Sequence, residues 1–492
     1  MPGRRRLPRA HARATGLPAA AVEAFLDGIE AAHLELHSLM VVHRGSVVAE
    51  GWWAPYSADR PHQLFSLSKS FTATAVGLAQ HEGLLSIDDL VLDHLGELAP
   101  PEPSPNLARM RIRHLLSMTT GHHDDVSPQV FATQGWTAAF LAEPVEHEPG
   151  THFVYNTAAT YVLSAIVQRV TGLRVLDYLG PLLLEPLGIT GATWERSPEG
   201  IDTGGFGLAL TTEDIACYGQ LMLADGVWQG HRVLPDGWVA QASAPQGPVP
   251  GGDSDWAQGY GFQHWVSRHG YRGDGAFGQF CVVLPEQDAV VAMTAGVADM
   301  QAVLDVAWST LLPGFDAPEP DGAGSDTSTA DDRLAERLST LRLAPPEGQP
   351  TDVAGPPGPW VGRTIVLDAN DHGISAIRIE QVDGGSRIEV TRTGGSGVAV
   401  DAGYGTWTSA VMAIDPDPVP WHRPVPSRVV AVAAAWPTPS TFTVVARFVE
   451  TPFAYTATAC CSDDDKVTVD LEVSVAFGPT DLGRLVGRLA PL

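Results

Sequence analysis

Apolar residues recur at helical spacing over 17–36, with Leu17, Val22, Phe25, Leu26 and Ile29 on one side, which predicts an amphipathic helix. The period then changes. Ser38 to Trp53 reads as a hairpin turning at Arg44-Gly45-Ser46. Small and apolar residues return at helical spacing from Phe71 to Gly83, and again over 108–118, 157–171 and 211–224. Residues 280–295 hold two β-branched runs separated by Pro285-Glu286-Gln287-Asp288, a second hairpin, and Met300 to Leu312 has the period of a closing helix. The pattern then fails: 313–333 is rich in Pro, Gly, Ser and Asp, with almost nothing apolar to bury. Beyond a short helix at Leu334 to Leu343, the stretch 360–480 alternates in short runs such as Arg387-Ile388-Glu389-Val390, an all-β pattern.

These signals divide the 492 residues into a first domain at 17–315, a linker with a short helix at 316–359, and an all-β barrel or sandwich at 360–492. The 57 acidic and 30 basic residues give a formal charge of −27, which repels nucleic acid and anionic membranes. The first 14 residues, with five arginines, read as a disordered basic tail, since the stretch after them is too short and weakly apolar for a signal sequence. No run of 18 apolar residues occurs, so no membrane partner and a cytoplasmic location are expected. The four cysteines lack CxxC spacing, which argues against structural zinc and a disulfide framework.

Only two lysines occur, Lys69 and Lys466. Neither follows a glycine, so a GxxxxGK[ST] phosphate loop is excluded, and no GxSxG nucleophile elbow is found. Lys69 opens an Ala-rich, acid-free helix, three residues after Ser66, which puts both on one face. A lysine desolvated at a helix start loses charge stabilisation and becomes a base able to take a serine proton. His33 and His37 are four apart, a helical spacing, but Glu35 between them does not satisfy HExxH. His122-His123-Asp124-Asp125 reads as polar loop rather than a metal site, and no metal is expected.

Ser66 to Lys69, followed in order by Gly83-Leu84-Leu85-Ser86-Ile87-Asp88-Asp89, Leu115-Leu116-Ser117-Met118-Thr119-Thr120-Gly121, Glu148-Pro149-Gly150, Phe153-Val154-Tyr155-Asn156, Val170-Thr171-Gly172 and Glu185-Pro186-Leu187-Gly188, resembles the serine β-lactamase and penicillin-binding-protein superfamily, above all its class C-like esterase branch. The resemblance spans about 35–312. It implies an α/β (α+β) transpeptidase-like domain, helices on an antiparallel sheet with an all-helical lobe from about 84 to 210. It also implies that Ser66 is the nucleophile and that Tyr155 assists Lys69 in proton transfer. Thr157 stands where the family carries asparagine, and with Asn156 it is expected to bind substrate. Gly273-Asp274-Gly275-Ala276 is the counterpart of the family's Lys-Thr-Gly strand, with its cation missing. The resemblance makes the Ala276 N–H an oxyanion donor with that of Ser66, a donor worth about 3 kcal/mol. Gly275 lets substrate approach, while Asp274 is expected to repel carboxylates. Arg272 is expected on the other strand face from the missing lysine.

The expected function is hydrolysis of a neutral, small-molecule carboxylic ester or amide through a Ser66 acyl-enzyme, without metal or organic cofactor. A β-lactamase, a D-amino-acid peptidase, or a non-catalytic binding scaffold with a degenerate site stay open, as does the oligomeric state.

Overall fold

The structure is a computed structural model that describes residues 7–249, 251–316, 325–348, 360–413, 428–462 and 464–491. It divides into two compact units, Met1–Trp52 with Ser57–Leu341, and Trp53–Tyr56 with Arg342–Leu492.

The first unit is built on an antiparallel sheet of β1 (Leu36–His43), β2 (Ser46–Trp52), β3 (Trp265–Val266), β4 (Tyr271–Gly275), β5 (Gln279–Leu284) and β6 (Ala289–Ala295), in the order β2-β1-β6-β5-β4-β3. Every residue of β1, β5 and β6 is buried, as a sheet covered on both faces requires. His43 lies edge-on to Phe315 of a helix at Met300–Phe315, on one face. Val290, paired with Val42, lies against Gly219 of a helix at Thr212–Leu223, on the other. A side chain at Gly219 would meet Val290 at 2.5 Å, so the glycine sets how closely that helix approaches.

The first helix, α1 (Ala19–Ala31), stops short of the expected 36. His33 takes a left-handed φ of 52°, and Leu36 already pairs with Ala295 in β1, so sheet pairing overrides the helical period. His33 and His37 therefore do not share a helix face; His37 is a buried strand residue with its Nδ1 3.1 Å from His62 Nε2.

The expected basic tail is partly ordered. Residues 1–6 lie outside the described residues, but Leu7 is buried and Arg9 pairs with Glu50 and Glu213, each at 2.7 Å. Two acidic partners hold the arginine, a pattern local composition does not reveal.

The helix that follows Ser66, α2 (Ser68–His81), is buried from Ser68 to Ala79. Its small residues permit close packing: a side chain at Gly77 would meet the Trp238 ring at 2.5 Å. The lobe at 84–210 centres on α3 (Thr157–Thr171), ended by Gly172 at a left-handed φ of 73°. It is not all-helical, because Thr193–Trp194 and Leu208–Leu210 form a small sheet with His62–Gln63. Part of the expected linker is also helical. Ser325–Ser339 belongs to the first unit, where Arg337 pairs with Asp27 and Glu30, while 317–324 and 349–359 lie outside the described residues.

The second unit is a closed barrel. Its strands run Thr364–Leu367, Ile374–Val382, Gly385–Arg392, Gly397–Tyr404, Thr408–Met412, Arg428–Thr438, Thr441–Phe448, Ala454–Cys461, Lys466–Val473 and Asp481–Leu489. Neighbours pair antiparallel, and closure comes from one parallel contact, Gly403↔Ala433 and Tyr404↔Ala434. Thr408–Met412 continues past the nine-stranded ring as an edge. Trp360, Trp436, Phe442 and Phe448 fill the interior with β-branched neighbours. This closure, of Gly397–Tyr404 against Arg428–Thr438, makes a ring of nine strands, which resolves the barrel-or-sandwich alternative as a barrel. Among the described residues no helix is long and apolar enough to cross a membrane.

Candidate active site

Ser66 sits half-buried in a single 3-10 turn, Phe65–Leu67, between the strand His62–Gln63 and α2. Phe65 adopts a left-handed φ of 49°. A bulky residue there stores about 1–3 kcal/mol of strain, which the surroundings must offset. The Phe65 ring packs edge-to-face with Phe277 at 5.4 Å, and Ser68 Oγ accepts a hydrogen bond from Leu208 N at 3.1 Å. The turn is thus held from two sides.

Lys69 follows in the first turn of α2 and is 1% exposed. Its Nζ lies 2.9 Å from Ser66 Oγ, 2.8 Å from Gly205 O and 3.3 Å from Thr157 Oγ1. Burial lowers its pKa to about 7, against an opposing pull from the charges of Asp125 and Asp274. A neutral amine keeps two N–H donors for Gly205 and Thr157 and turns its lone pair to the Ser66 hydroxyl. Three acceptors around one buried amine suit both the receipt and the return of a proton.

The Tyr155 ring centroid is 4.8 Å from Lys69 Nζ, and Ser66 acts on its phenol. Desolvation, aided by Asp274, raises the phenol far above its ordinary value, so the hydroxyl keeps its proton. The ring stacks on Trp265 at 5.4 Å and meets Tyr260 edge-on at 6.0 Å, an aromatic wall beside the serine. Asn156 follows Tyr155 directly. It is fully buried and caps α3, its side-chain oxygen accepting from Ala158 N at 3.1 Å.

On β4, Arg272 and Asp274 share one face and Gly273 and Gly275 the other. Arg272 Nε donates to Asp274 Oδ2 at 2.8 Å, both residues being buried, and the guanidinium lies 4.5 Å from the Trp256 ring. Burial pushes the Asp274 carboxyl up, while Arg272 and then Lys69 pull it down. Asp274 is thus not a lone charge: Arg272 is paired with it.

A side chain at Gly273 would meet Leu67 at 2.4 Å and Ser70 at 2.6 Å, and one at Gly275 would meet Leu64 O at 1.9 Å. Both glycines are what lets the strand lie against the Ser66 turn. Gly275 O accepts from Gly278 N at 3.2 Å, into the tight turn through Phe277 and Gly278, so across the trans peptide the Ala276 N–H points the opposite way. Gly275→Ala is expected to displace strand from turn, lowering kcat/KM for any substrate of this site at least about 10-fold while the barrel stays folded; steady-state kinetics with far-UV circular dichroism checks this.

The fold thus brings Ser66, Lys69, Tyr155, Thr157 and Asp274 together, with Gly275 and Ala276 on the adjoining strand and turn. Two elements escaped the sequence reading: Arg272 as partner of Asp274, and the Gly205 carbonyl. The only trace of the second is the glycine-rich Thr203-Gly204-Gly205-Phe206-Gly207, where Gly204 and Gly207 take left-handed φ values.

The model of the family described as Beta-lactamase matches residues 21–305. The 6-aminohexanoate-dimer hydrolase of Paenarthrobacter ureafaciens is 28% identical over 285 residues, covering 53% of this chain and 73% of its own. Protein flp of Staphylococcus aureus is 23% identical over 183 residues, 34% of this chain and 36% of its own. A crystal structure of a β-lactamase candidate from Bacteroides dorei superposes with a TM-score of 0.50 at 17% identity, covering 59% of this chain and 98% of that one, which speaks to the fold alone.

Proposed function

The chain belongs to the β-lactamase family, and on that premise we propose that it hydrolyses a neutral carboxylic ester or amide through an acyl-enzyme on Ser66. One observation carries the reading: Lys69 Nζ stands 2.9 Å from Ser66 Oγ with its pKa lowered to about 7. That value makes the amine half-neutral near pH 7, where a general base is most effective.

Ser66 Oγ attacks the carbonyl carbon as its proton passes to Lys69. The negative charge on the carbonyl oxygen is met by the N–H groups of Ser66 and Ala276. The tetrahedral adduct collapses, the leaving oxygen or nitrogen takes a proton, and the acyl group stays on Ser66. Tyr155, which holds its proton tightly, serves as donor and relay to the leaving group rather than as the primary base. Water, deprotonated by Lys69 in turn, then releases the acid and restores the serine.

The neutral character of the substrate rests on Arg272, whose charge is engaged by Asp274 rather than offered to a carboxylate. The aromatic wall of Tyr155, Tyr260 and Trp265 suits an apolar group next to the scissile bond. Hydrolysis is also what the name of the Paenarthrobacter relative states.

Because Lys69 must be neutral to act, kcat/KM for a short-chain nitrophenyl ester is expected to rise with pH and level off above about 7, falling about tenfold per unit on the acid side. A pH–rate profile on the full chain tests this. A profile that stays flat across that range removes Lys69 from the role of base.

A further inference from the structure

Outside the Ser66 site, the fold brings His123 against two histidines of a later loop, His147 and His152. His123, His147 and His152 each offer a ring nitrogen, and all three nitrogens lie within 4.8 Å of one another. His123 Nδ1 is 3.0 Å from His147 Nε2, the rings of His147 and His152 stack at 4.2 Å, and those of His123 and His152 at 5.8 Å. His123 is exposed and the other two are half-buried, so the cluster opens to solvent on one side.

The scaffold beneath the cluster is fixed by main-chain bonds that need no cation. His147 N donates to Gly121 O at 2.8 Å, Gly150 N to Thr119 O at 2.8 Å, and Val154 N to Met118 O at 3.0 Å. Gly121 takes a left-handed φ of 93°, and a side chain there would meet His147 O at 2.4 Å, so the two loops approach as closely as they do only through glycine. Glu146 adds a negative charge, its Oε2 accepting from His123 N at 3.0 Å.

We propose that His123, His147 and His152 form a binding site for a borderline-soft divalent transition-metal ion, of the class of zinc(II), with water in the remaining position. Three imidazole ligands with an open, solvent-facing position suit such an ion, whereas calcium and magnesium take oxygen ligands. The alternative is a bare histidine stack, in which the 3.0 Å pair shares one proton between two nitrogens. A cation would satisfy the ring nitrogens at once, and the −27 formal charge of the chain favours its arrival.

The site lies on the two loops that run to the serine pocket. His152 precedes Tyr155 by three residues, and His123 precedes Asp125, whose charge acts on Lys69, by two. Bound metal would clamp these loops to each other, a structural role that does not depend on Ser66 being catalytic.

The test uses the untagged full chain, stripped with a chelator and titrated with cobalt(II). The expected result is one equivalent bound per chain, with the visible bands of low-coordinate cobalt(II) and no thiolate charge-transfer band. His147→Asn and His152→Asn are each expected to weaken binding at least about 10-fold, and Cys460→Ser with Cys461→Ser to leave it unchanged. A metal-free urea midpoint matching the unmodified chain identifies variants that fold. Paramagnetic shifts of three imidazole N–H signals in the unmodified chain give a readout that needs no variant. Absence of stoichiometric binding, binding that survives loss of two histidines, or a thiolate band removed by the cysteine changes would overturn the proposal.

Discussion

Ser66→Ala is expected to lower kcat/KM for ester hydrolysis on the order of 10⁴-fold or more, leaving only the slow attack of water in a site that still polarises the carbonyl. The size follows from the role of Ser66 as the covalent nucleophile, since neither Lys69 nor Tyr155 can form the acyl intermediate in its place. Stability should change by less than about 1 kcal/mol. The serine is half-buried, and Lys69 keeps Gly205 O and Thr157 Oγ1 as partners when Oγ is removed. Equal urea midpoints beside unequal rates would separate a lost nucleophile from a damaged fold.

Lys69→Met, which keeps the length of the side chain and discards its base, is expected to cost about 10²–10⁴-fold in kcat/KM. It should also abolish the rise in rate through pH 7. A second signature is thermodynamic. Lys69 has a folded pKa near 7, below its ordinary 10.5, so between these values the unfolded chain binds more protons than the folded one. Its burial therefore destabilises the fold below about pH 7, and the penalty is relieved as pH rises toward the unfolded value. The unfolding free energy of the unmodified chain should climb with pH across this window relative to Lys69→Met. Parallel curves for the two proteins would mean that the amine is not held neutral in the folded state.

How much of this was legible in the sequence depended on how local each signal was. Ser66 and Lys69 stood out because they are three apart in a chain with two lysines. The hairpins of the central sheet followed from β-branched runs and turn residues, and Gly275 from the resemblance to a family strand. The far end of α1 was misjudged because strand pairing of Leu36, not the helical period, decides where the helix stops.

Longer-range features were out of reach for physical reasons. Barrel closure rests on two parallel residue pairs, Gly403↔Ala433 and Tyr404↔Ala434, which leave no periodic mark. The Gly205 carbonyl that receives Lys69 is a main-chain group, and main-chain acceptors carry no residue signature. Asn156, adjacent to Tyr155, caps the first turn of α3 through its side-chain oxygen, a contact fixed by where the helix begins and not by residue type alone. His123 was visible in sequence only beside His122, whose ring is instead buried against Thr120 and Phe140. The partners His147 and His152 come from a loop more than twenty residues on.

The central claim is that Ser66 carries an activated hydroxyl, and intact-mass spectrometry after incubation with a fluorophosphonate tests it most directly. The expected result is one stoichiometric adduct on the unmodified chain, absent from Ser66→Ala. A folded chain that stays unlabelled, or an adduct that persists in Ser66→Ala, would contradict the claim and leave a binding scaffold as the reading of the pocket.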